Sequence, residues 1–378
     1  MIPFNRPILP ARAVECMVEA FRSGKVSGDG IFSRKCETFF QERYGSPRCL
    51  LTTSCTDALE FAALLCRIEP GDEVILPSFT FPSTANAFAL RGATLVFVDS
   101  LPNHPNMDAA QVEALVTDRT RVIAPVHYAG VAVDMDPILA LARKRGLRVV
   151  EDAAQAVEAT YKGRPLGTLG DLAAFSFHET KNIHCGEGGM LAVNDTALVT
   201  RAEIVREKGT NRSAFFRGEV DKYGWVDVGS SFLPSDILAA VLWAQLETLR
   251  EICDRRLAIW NRYCAALAPL ETAGVATLPR IPSYAGHNAH MFYLSLADEA
   301  TRKRLGAHLK ARDILAVFHY QSLHRSPYFA GRHDGRTLPN SDRYSDCLLR
   351  LPLFHDLTNE SQDQVIGALG SFFGIRHA

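Results

Sequence analysis

The chain has 378 residues, 47% apolar and 22% charged, a globular balance on a length that favours one larger and one smaller domain over a single core. A formal net charge of -1 excludes a global field for nucleic acid or for an anionic membrane. The start, broken by Pro3, Pro7 and Pro10 and charged at Arg6 and Arg12, does not read as a signal peptide; no run of about 18 apolar residues marks a membrane span; and nine scattered cysteines without a CxxC pair read as reduced thiols of a cytoplasmic protein, neither a disulfide frame nor a metal site.

In chain order, apolar runs alternate with helical patterns. Cys49 to Thr52 reads as a buried strand, with a helix from Thr56 to about Arg67. Glu73 to Leu76 is a second strand, closed by Pro77, and a helix follows from Ser83. Thr94 to Val98 is a third and Arg121 to Val126 a fourth, with a helix from about Asp136 to Arg145; Leu147 to Val150 is a fifth. Strands separated by helices imply βαβ units and a mainly parallel sheet covered on both faces. Leu172 to Phe177 and Gly189 to Val193 then follow with only a short connection. A single long helix is expected from about Ser235 to Leu267. Strands at His290 to Leu296 and Leu315 to His319, with helices over Asp298 to Ala311 and Asn359 to Phe372, give the last part an α+β character. The expected division is a large domain over 1–250, N-terminal segment included, and a smaller C-terminal α+β domain over 251–378.

The chemistry concentrates between Glu151 and Gly189. Asp152 ends a predicted parallel strand, the sheet edge where ligands bind. An acid there can hold a cofactor's ring nitrogen protonated, or can cap a following helix. Lys181 lies between a strand and the loop Gly186-Glu187-Gly188-Gly189. It is a nucleophile if desolvated and a solvated loop lysine otherwise. Ser176 can place a hydroxyl on a phosphate or end its strand. Ser54-Cys55-Thr56 opens a helix, and helix N-termini bind phosphate; Thr56 is equally an ordinary N-cap. The absence of G-x-x-x-x-G-K-[ST] and of G-x-G-x-x-G sets aside nucleoside-triphosphate and dinucleotide sites. Phe79 or Phe81 can stack on a flat ring or pack in the core.

The string Asp152, Gln155, Ser176, Lys181 and Gly186-Glu187-Gly188-Gly189 resembles the sugar aminotransferases of the DegT/StrS kind. So do Pro77-Ser78-Phe79-Thr80-Phe81, Ala85-Asn86-Ala87, Arg91-Gly92-Ala93, the strand Thr94 to Asp99, Pro125-Val126-His127-Tyr128-Ala129-Gly130 and Leu351-Pro352-Leu353. The resemblance covers nearly the whole chain. It implies the α/β fold of fold-type-I transferases dependent on pyridoxal 5'-phosphate (PLP), with a seven-stranded, mainly parallel sheet and a smaller C-terminal domain. By position, Lys181 would be the Schiff-base lysine, Asp152 the partner of the ring nitrogen, and Gln155 a neighbour of the ring's phenolic oxygen. Cys55, Thr56 and Ser176 would hold the phosphate, and Phe81 rather than Phe79 would stack on the ring.

Further stretches are similar to the branch of the family that aminates dTDP-4-keto-6-deoxyglucose at C4. They are Ile2-Pro3-Phe4-Asn5, Ser23-Gly24-Lys25, Gly28-Asp29-Gly30, Glu207 to Ser213, Phe215 to Gly218, Val220 to Tyr223 and Asn288 to Tyr293. The family resemblance implies L-glutamate as donor, a homodimer with a composite site, and cell-envelope polysaccharide biosynthesis. The polar loop 210–225, rich in Arg, Lys and aromatics, suits a segment reaching across to a nucleotide diphosphate or is a surface insertion; Lys25, Arg212, Lys222, Tyr320 and His324, with His319, are candidates for the sugar nucleotide, the histidines being structural otherwise. There is one departure. Many relatives carry G-x-N-x-R before the long helix, their Asn reaching the neighbouring subunit's phosphate; here Ser231 and Leu233 stand in Gly229-Ser230-Ser231-Phe232-Leu233. A serine hydroxyl can still bond phosphate. Three rival readings carry their own signatures. A PLP sugar dehydratase would carry histidine in place of Lys181. Amination at C3, or of a GDP- or UDP-linked sugar, is opposed only by the branch-specific stretches. A cofactor-free sensor would lack Lys181 or Asp152.

Overall fold

The computed structural model describes residues 1–375. The large sheet has seven strands: β1 (Arg48–Thr52), β2 (Glu73–Pro77), β3 (Thr94–Val98), β4 (Thr120–Ile123), β5 (Arg148–Asp152), β6 (Leu172–Ser176) and β7 (Gly189–Val193). Their spatial order is β1-β7-β6-β5-β4-β2-β3. The pairs β2–β3, β2–β4, β4–β5 and β5–β6 are parallel, and β7 runs antiparallel to both β1 and β6. The expected mainly parallel sheet is thus present, and the short link before Gly189 is what reverses β7.

Alternation along these strands divides the core. Leu51, Ile75, Ile123, Val149, Ala173, Phe175 and Met190 enter one apolar cluster. Leu50, Val74, Leu76, Val122, Val150, Leu172, Ala174 and Leu191 enter a second on the opposite face. A third cluster joins Trp260, Tyr263, Phe292, Leu294, Leu349 and Leu369. It packs around an antiparallel four-stranded sheet of order β8-β9-β11-β10, made of β8 (Ala276–Thr277), β9 (Phe292–Leu296), β10 (Val317–Phe318) and β11 (Leu348–Leu351).

Three local expectations are corrected. The helix expected over Ser235 to Leu267 is two helices, Asp236–Glu247 and Leu249–Thr272. Thr248 leaves helical geometry at φ -114°, ψ 13°. Its hydroxyl bonds back to the carbonyls of Ala244 and Gln245 at 3.5 and 3.3 Å, a competition that bends helices. The strand at Arg121 to Val126 stops at Ile123, and that at Leu315 to His319 shrinks to Val317–Phe318. Sequence reading also missed two N-terminal helices, α1 (Ala13–Arg22) and α2 (Ile31–Tyr44). No helix among the described residues is long and apolar enough to cross a membrane.

Candidate active site

The site is built at the C-terminal edge of the large sheet. Asp152 ends β5 and is buried. No helix follows it, so the capping alternative falls. Its Oδ1 accepts from the Ala154 amide at 3.1 Å, and its Oδ2 accepts from the Thr84 hydroxyl at 2.7 Å. Thr84 lies in α4 (Pro82–Ala89), the helix after β2; nothing in the sequence had marked it.

Lys181 sits in the turn between β6 and β7, its amide bonded to the His178 carbonyl at 2.9 Å. Among the described residues its ammonium has no hydrogen-bond or ion-pair partner. Desolvation lowers its pKa, helped by Arg350 and opposed by Cys55 and Asp152. Burial thus favours the neutral amine, the form that acts as nucleophile and base.

A phosphate-sized cradle adjoins it. Helix α3 (Cys55–Leu65) is capped by Ser54, whose Oγ accepts from the Asp57 amide at 3.0 Å. Ser54, not Thr56, therefore caps this helix. The first-turn amides of Cys55 and Thr56 find no acceptor among the described residues, as helix geometry dictates. Thr56 Oγ1 meets Ser83 Oγ at 2.7 Å. Ser176 ends β6 opposite Gly189, which pairs on its other side with Thr52. A Cβ on Gly189 would stand 2.3 Å from Ser54 C and 2.4 Å from Cys55 N, so only glycine lets β7 approach the helix N-terminus this closely. Free amides, hydroxyls and a dipole end suit a phosphate dianion.

Gln155 and Tyr320 close another side. Gln155 Oε1 accepts from the Ala129 amide at 2.6 Å, and its Nε2 donates to Tyr320 Oη at 3.1 Å. Phe81 is 54% exposed with its ring 5.9 Å from that of Tyr320, whereas Phe79 is 1% exposed in a cluster with Tyr128, Met291 and Tyr344. Phe81 is therefore the ring free to stack, and Phe79 is core. Beside Lys181, Asn182 donates to the Asn288 carbonyl at 2.9 Å, and its Oδ1 meets His290 Nδ1 at 2.9 Å. Burial lowers the pKa of both His290 and His319, and His319 Nδ1 meets Tyr128 Oη at 3.0 Å. Asn182, His290 and Arg350 were not singled out from sequence.

The remaining candidates lie elsewhere. His324 is buried, with Nδ1 2.7 Å from Ser78 Oγ and Nε2 3.5 Å from Asp342; the expected place in a sugar pocket gives way to this packing role, because both ring nitrogens face protein partners. Lys25, Arg212 and Ser231 line a cavity of about 780 Å³ together with Arg34, Arg48 and Arg217, and neither Lys181 nor Asp152 borders it. Lys25 Nζ donates to the Asp29 carbonyl at 3.0 Å, and Arg212 pairs with Glu207 at 3.0 Å. Lys222 is exposed and does not line that cavity.

A lone unpaired lysine, a strand-end aspartate, an open helix N-terminus and a free aromatic face together fit PLP. The model of the DegT/DnrJ/EryC1/StrS aminotransferase family matches residues 8–370. Among solved structures, the aminotransferase TlmJ from Streptoalloteichus hindustanus is 31% identical with TM-score 0.90, covering 99% of each chain. DesV from S. venezuelae is 32% identical with TM-score 0.88 over 98% of each chain. The putative sugar aminotransferase Spr1654 from Streptococcus pneumoniae in its PMP-form is 25% identical with TM-score 0.91, again over 98% of each. The chain belongs to the DegT/DnrJ/EryC1/StrS family and is a PLP-dependent sugar aminotransferase of fold type I.

Proposed function

We propose that the enzyme moves the amino group of L-glutamate to C4 of dTDP-4-keto-6-deoxy-D-glucose, giving dTDP-4-amino-4,6-dideoxy-D-galactose and 2-oxoglutarate. The observation that carries the transfer chemistry is the unpartnered, burial-depressed Lys181 amine within electrostatic reach of Asp152. The choice of sugar rests on the branch-specific stretches, among them Glu207 to Ser213 and Asn288 to Tyr293.

When bound, the cofactor supplies a carbonyl carbon that links to amines and a ring that withdraws electrons. Lys181 would tether it, with Cys55, Thr56 and Ser176 on its phosphate and Phe81 on its face. Asp152, fixed by Thr84, would keep the ring nitrogen protonated. Gln155, held by the Ala129 amide, would stand by the phenolic oxygen. Lys181 Nζ would take the proton from the donor's α-carbon and hand it on as general base and then acid. In the second half it would deliver a proton to the sugar's C4.

The enzyme acts, on this reading, as a homodimer with composite sites. Lys25 and Arg212 border a basic cavity that Lys181 does not reach, so on this reading they, and Lys222 of the same exposed segment as Arg212, meet a sugar nucleotide bound at Lys181 of a second copy, while Ser231 on that cavity meets the second copy's cofactor phosphate. Phe216, Trp225 and Val226 are 68%, 83% and 55% exposed on the same segment, an apolar surface suited to burial between subunits. A two-domain division at 250/251 is part of this reading, supported by a third apolar cluster drawn mainly from residues after 258. Nine free cysteines fit the cytoplasm, where thiols stay reduced.

The test is incubation with PLP, L-glutamate and dTDP-4-keto-6-deoxyglucose, with the product read by mass spectrometry and NMR. An amino-sugar with an axial C4 amine is expected. Amination of a C3-keto or GDP- or UDP-linked sugar in preference would transfer the assignment to that substrate.

A further inference from the structure

Asn182, the residue after Lys181, is tied to the segment just before β9. Its Nδ2 donates to the Asn288 carbonyl and its Oδ1 meets His290 Nδ1, each at 2.9 Å. The polarity of this network is fixed. A carbonyl only accepts, so Asn182 turns its nitrogen to Asn288 and its oxygen to His290. That oxygen also only accepts, so His290 Nδ1 carries the hydrogen. Asn288 is oriented in the same way. Its Nδ2 donates to the carbonyls of Gln155 and Val157, both at 2.8 Å, and its Oδ1 accepts from the His290 amide at 3.0 Å. Arg256 holds the His290 carbonyl at 2.7 Å, so ring and backbone are both clamped.

A neutral imidazole that donates from one nitrogen accepts at the other. Burial keeps His290 uncharged, and the cations Lys181, Arg256 and Arg350 act in the same direction. Its Nε2 is thus a bare acceptor, and no described residue donates to it. It lies across the ring from Asn182, the chain neighbour of Lys181, and His290 keeps 8% of its surface open.

Lys181 has the matching need. Under the proposed function the amino donor takes its place on the cofactor, and the freed Nζ then carries the α-proton as an ammonium. An ammonium has three donors, and no described residue accepts from this one. The other groups acting on Lys181 do not suit. Asp152 gives Oδ1 to the Ala154 amide and Oδ2 to the Thr84 hydroxyl. Burial keeps the Cys55 thiol protonated, and a thiol is a weak acceptor. Arg350 is itself a cation. We infer that His290 is a positioning residue for Lys181: its Nε2 accepts a hydrogen bond from Lys181 Nζ once that amine leaves the cofactor, and holds it beside the carbon whose proton it moves. The proton stays on Lys181, and nothing is transferred to the imidazole. This rests on the aminotransferase reading above.

The test follows bleaching of the near-visible band of holoenzyme by L-glutamate and by L-glutamate deuterated at the α-carbon. His290→Asn keeps a donor for Asn182 and drops the acceptor at Nε2. Its bleaching slows on the order of 10- to 100-fold, the range expected for one hydrogen bond to a charged group, and its isotope effect grows. Its resting band and PLP affinity stay as in wild type, because Lys181 does not use Nε2 while it tethers the cofactor. His290→Gln places an amide oxygen where Nε2 stands and restores most of the rate. Unchanged bleaching in His290→Asn, slowing accompanied by weaker PLP binding or a shifted resting band, or a His290→Gln enzyme as slow as His290→Asn overturns the assignment. If His290→Asn does not fold, His290→Gln is read alone: a rate within several-fold of wild type is expected, and slowing on the order of 10-fold or more overturns the assignment. Wild-type holoenzyme that L-glutamate does not bleach contradicts the aminotransferase reading itself and not merely the role of His290.

Discussion

Thr84 Oγ1 donates a 2.7 Å hydrogen bond to Asp152 Oδ2, joining the first turn of α4 to the end of β5 across 68 residues of sequence. The same hydroxyl meets Thr80 Oγ1 at 2.9 Å, so the aspartate is held by a short relay. Thr84→Val keeps the shape and removes the donor. A fall in kcat on the order of 3- to 10-fold is expected, matching the net worth of one hydrogen bond, with Asp152→Asn far more damaging. Steady-state kinetics on both variants check this, and a Thr84→Val enzyme with wild-type kcat would remove Thr84 from the machinery.

Gly189→Ala forces a methyl against the Ser54 and Cys55 backbone, at 2.3 and 2.4 Å. Backbone cannot yield as a side chain does, so a loss of about 1–3 kcal/mol is expected. Because the collision is at the helix N-terminus, PLP affinity should fall more than the melting temperature suggests. Fluorescence titration of PLP beside thermal melts separates the two.

Arg206 and Glu37 form a buried ion pair at 2.6 Å, and Arg206 also contacts Asp29. Glu37 accepts from the Leu51 amide at 3.1 Å as well, so the pair anchors β1 to Ile31–Tyr44 beside the basic cavity. Arg206→Met leaves a buried carboxylate without its main partner. It should cost about 3–5 kcal/mol in denaturant unfolding, with less loss when Glu37→Gln is added.

Lys181 contributes to pH dependence with a definite sign. Its folded pKa lies below the ordinary value of 10.5, so above the folded pKa the unfolded chain binds more protons at this position. Stability of the cofactor-free protein should therefore rise with pH from that lowered value up to 10.5 relative to Lys181→Met. Below the window the charged, buried amine destabilises fully. Equal slopes for both proteins in denaturant titrations would contradict the burial of Lys181.

Most large-sheet strands were legible because their apolar runs are bounded by turn residues, as Thr94–Val98 shows without error. Lys181 and Asp152 stood out because they fall in one short stretch. Thr84, Asn182, His290 and Arg350 did not, because their roles come from contacts over long sequence separations, such as the 108 residues between His290 and Asn182. The break at Thr248 was hidden because apolar periodicity continues through it. His324 was misplaced for a related reason: whether a histidine faces a ligand or Ser78 depends on an element 246 residues away.

The most direct measurement follows the near-visible absorption of purified holoenzyme on addition of L-glutamate, with Lys181→Ala alongside. Wild-type absorption should bleach within the assay and return on adding the keto-sugar, while Lys181→Ala shows neither change. Bleaching and recovery in Lys181→Ala at the wild-type rate would contradict the central role of Lys181.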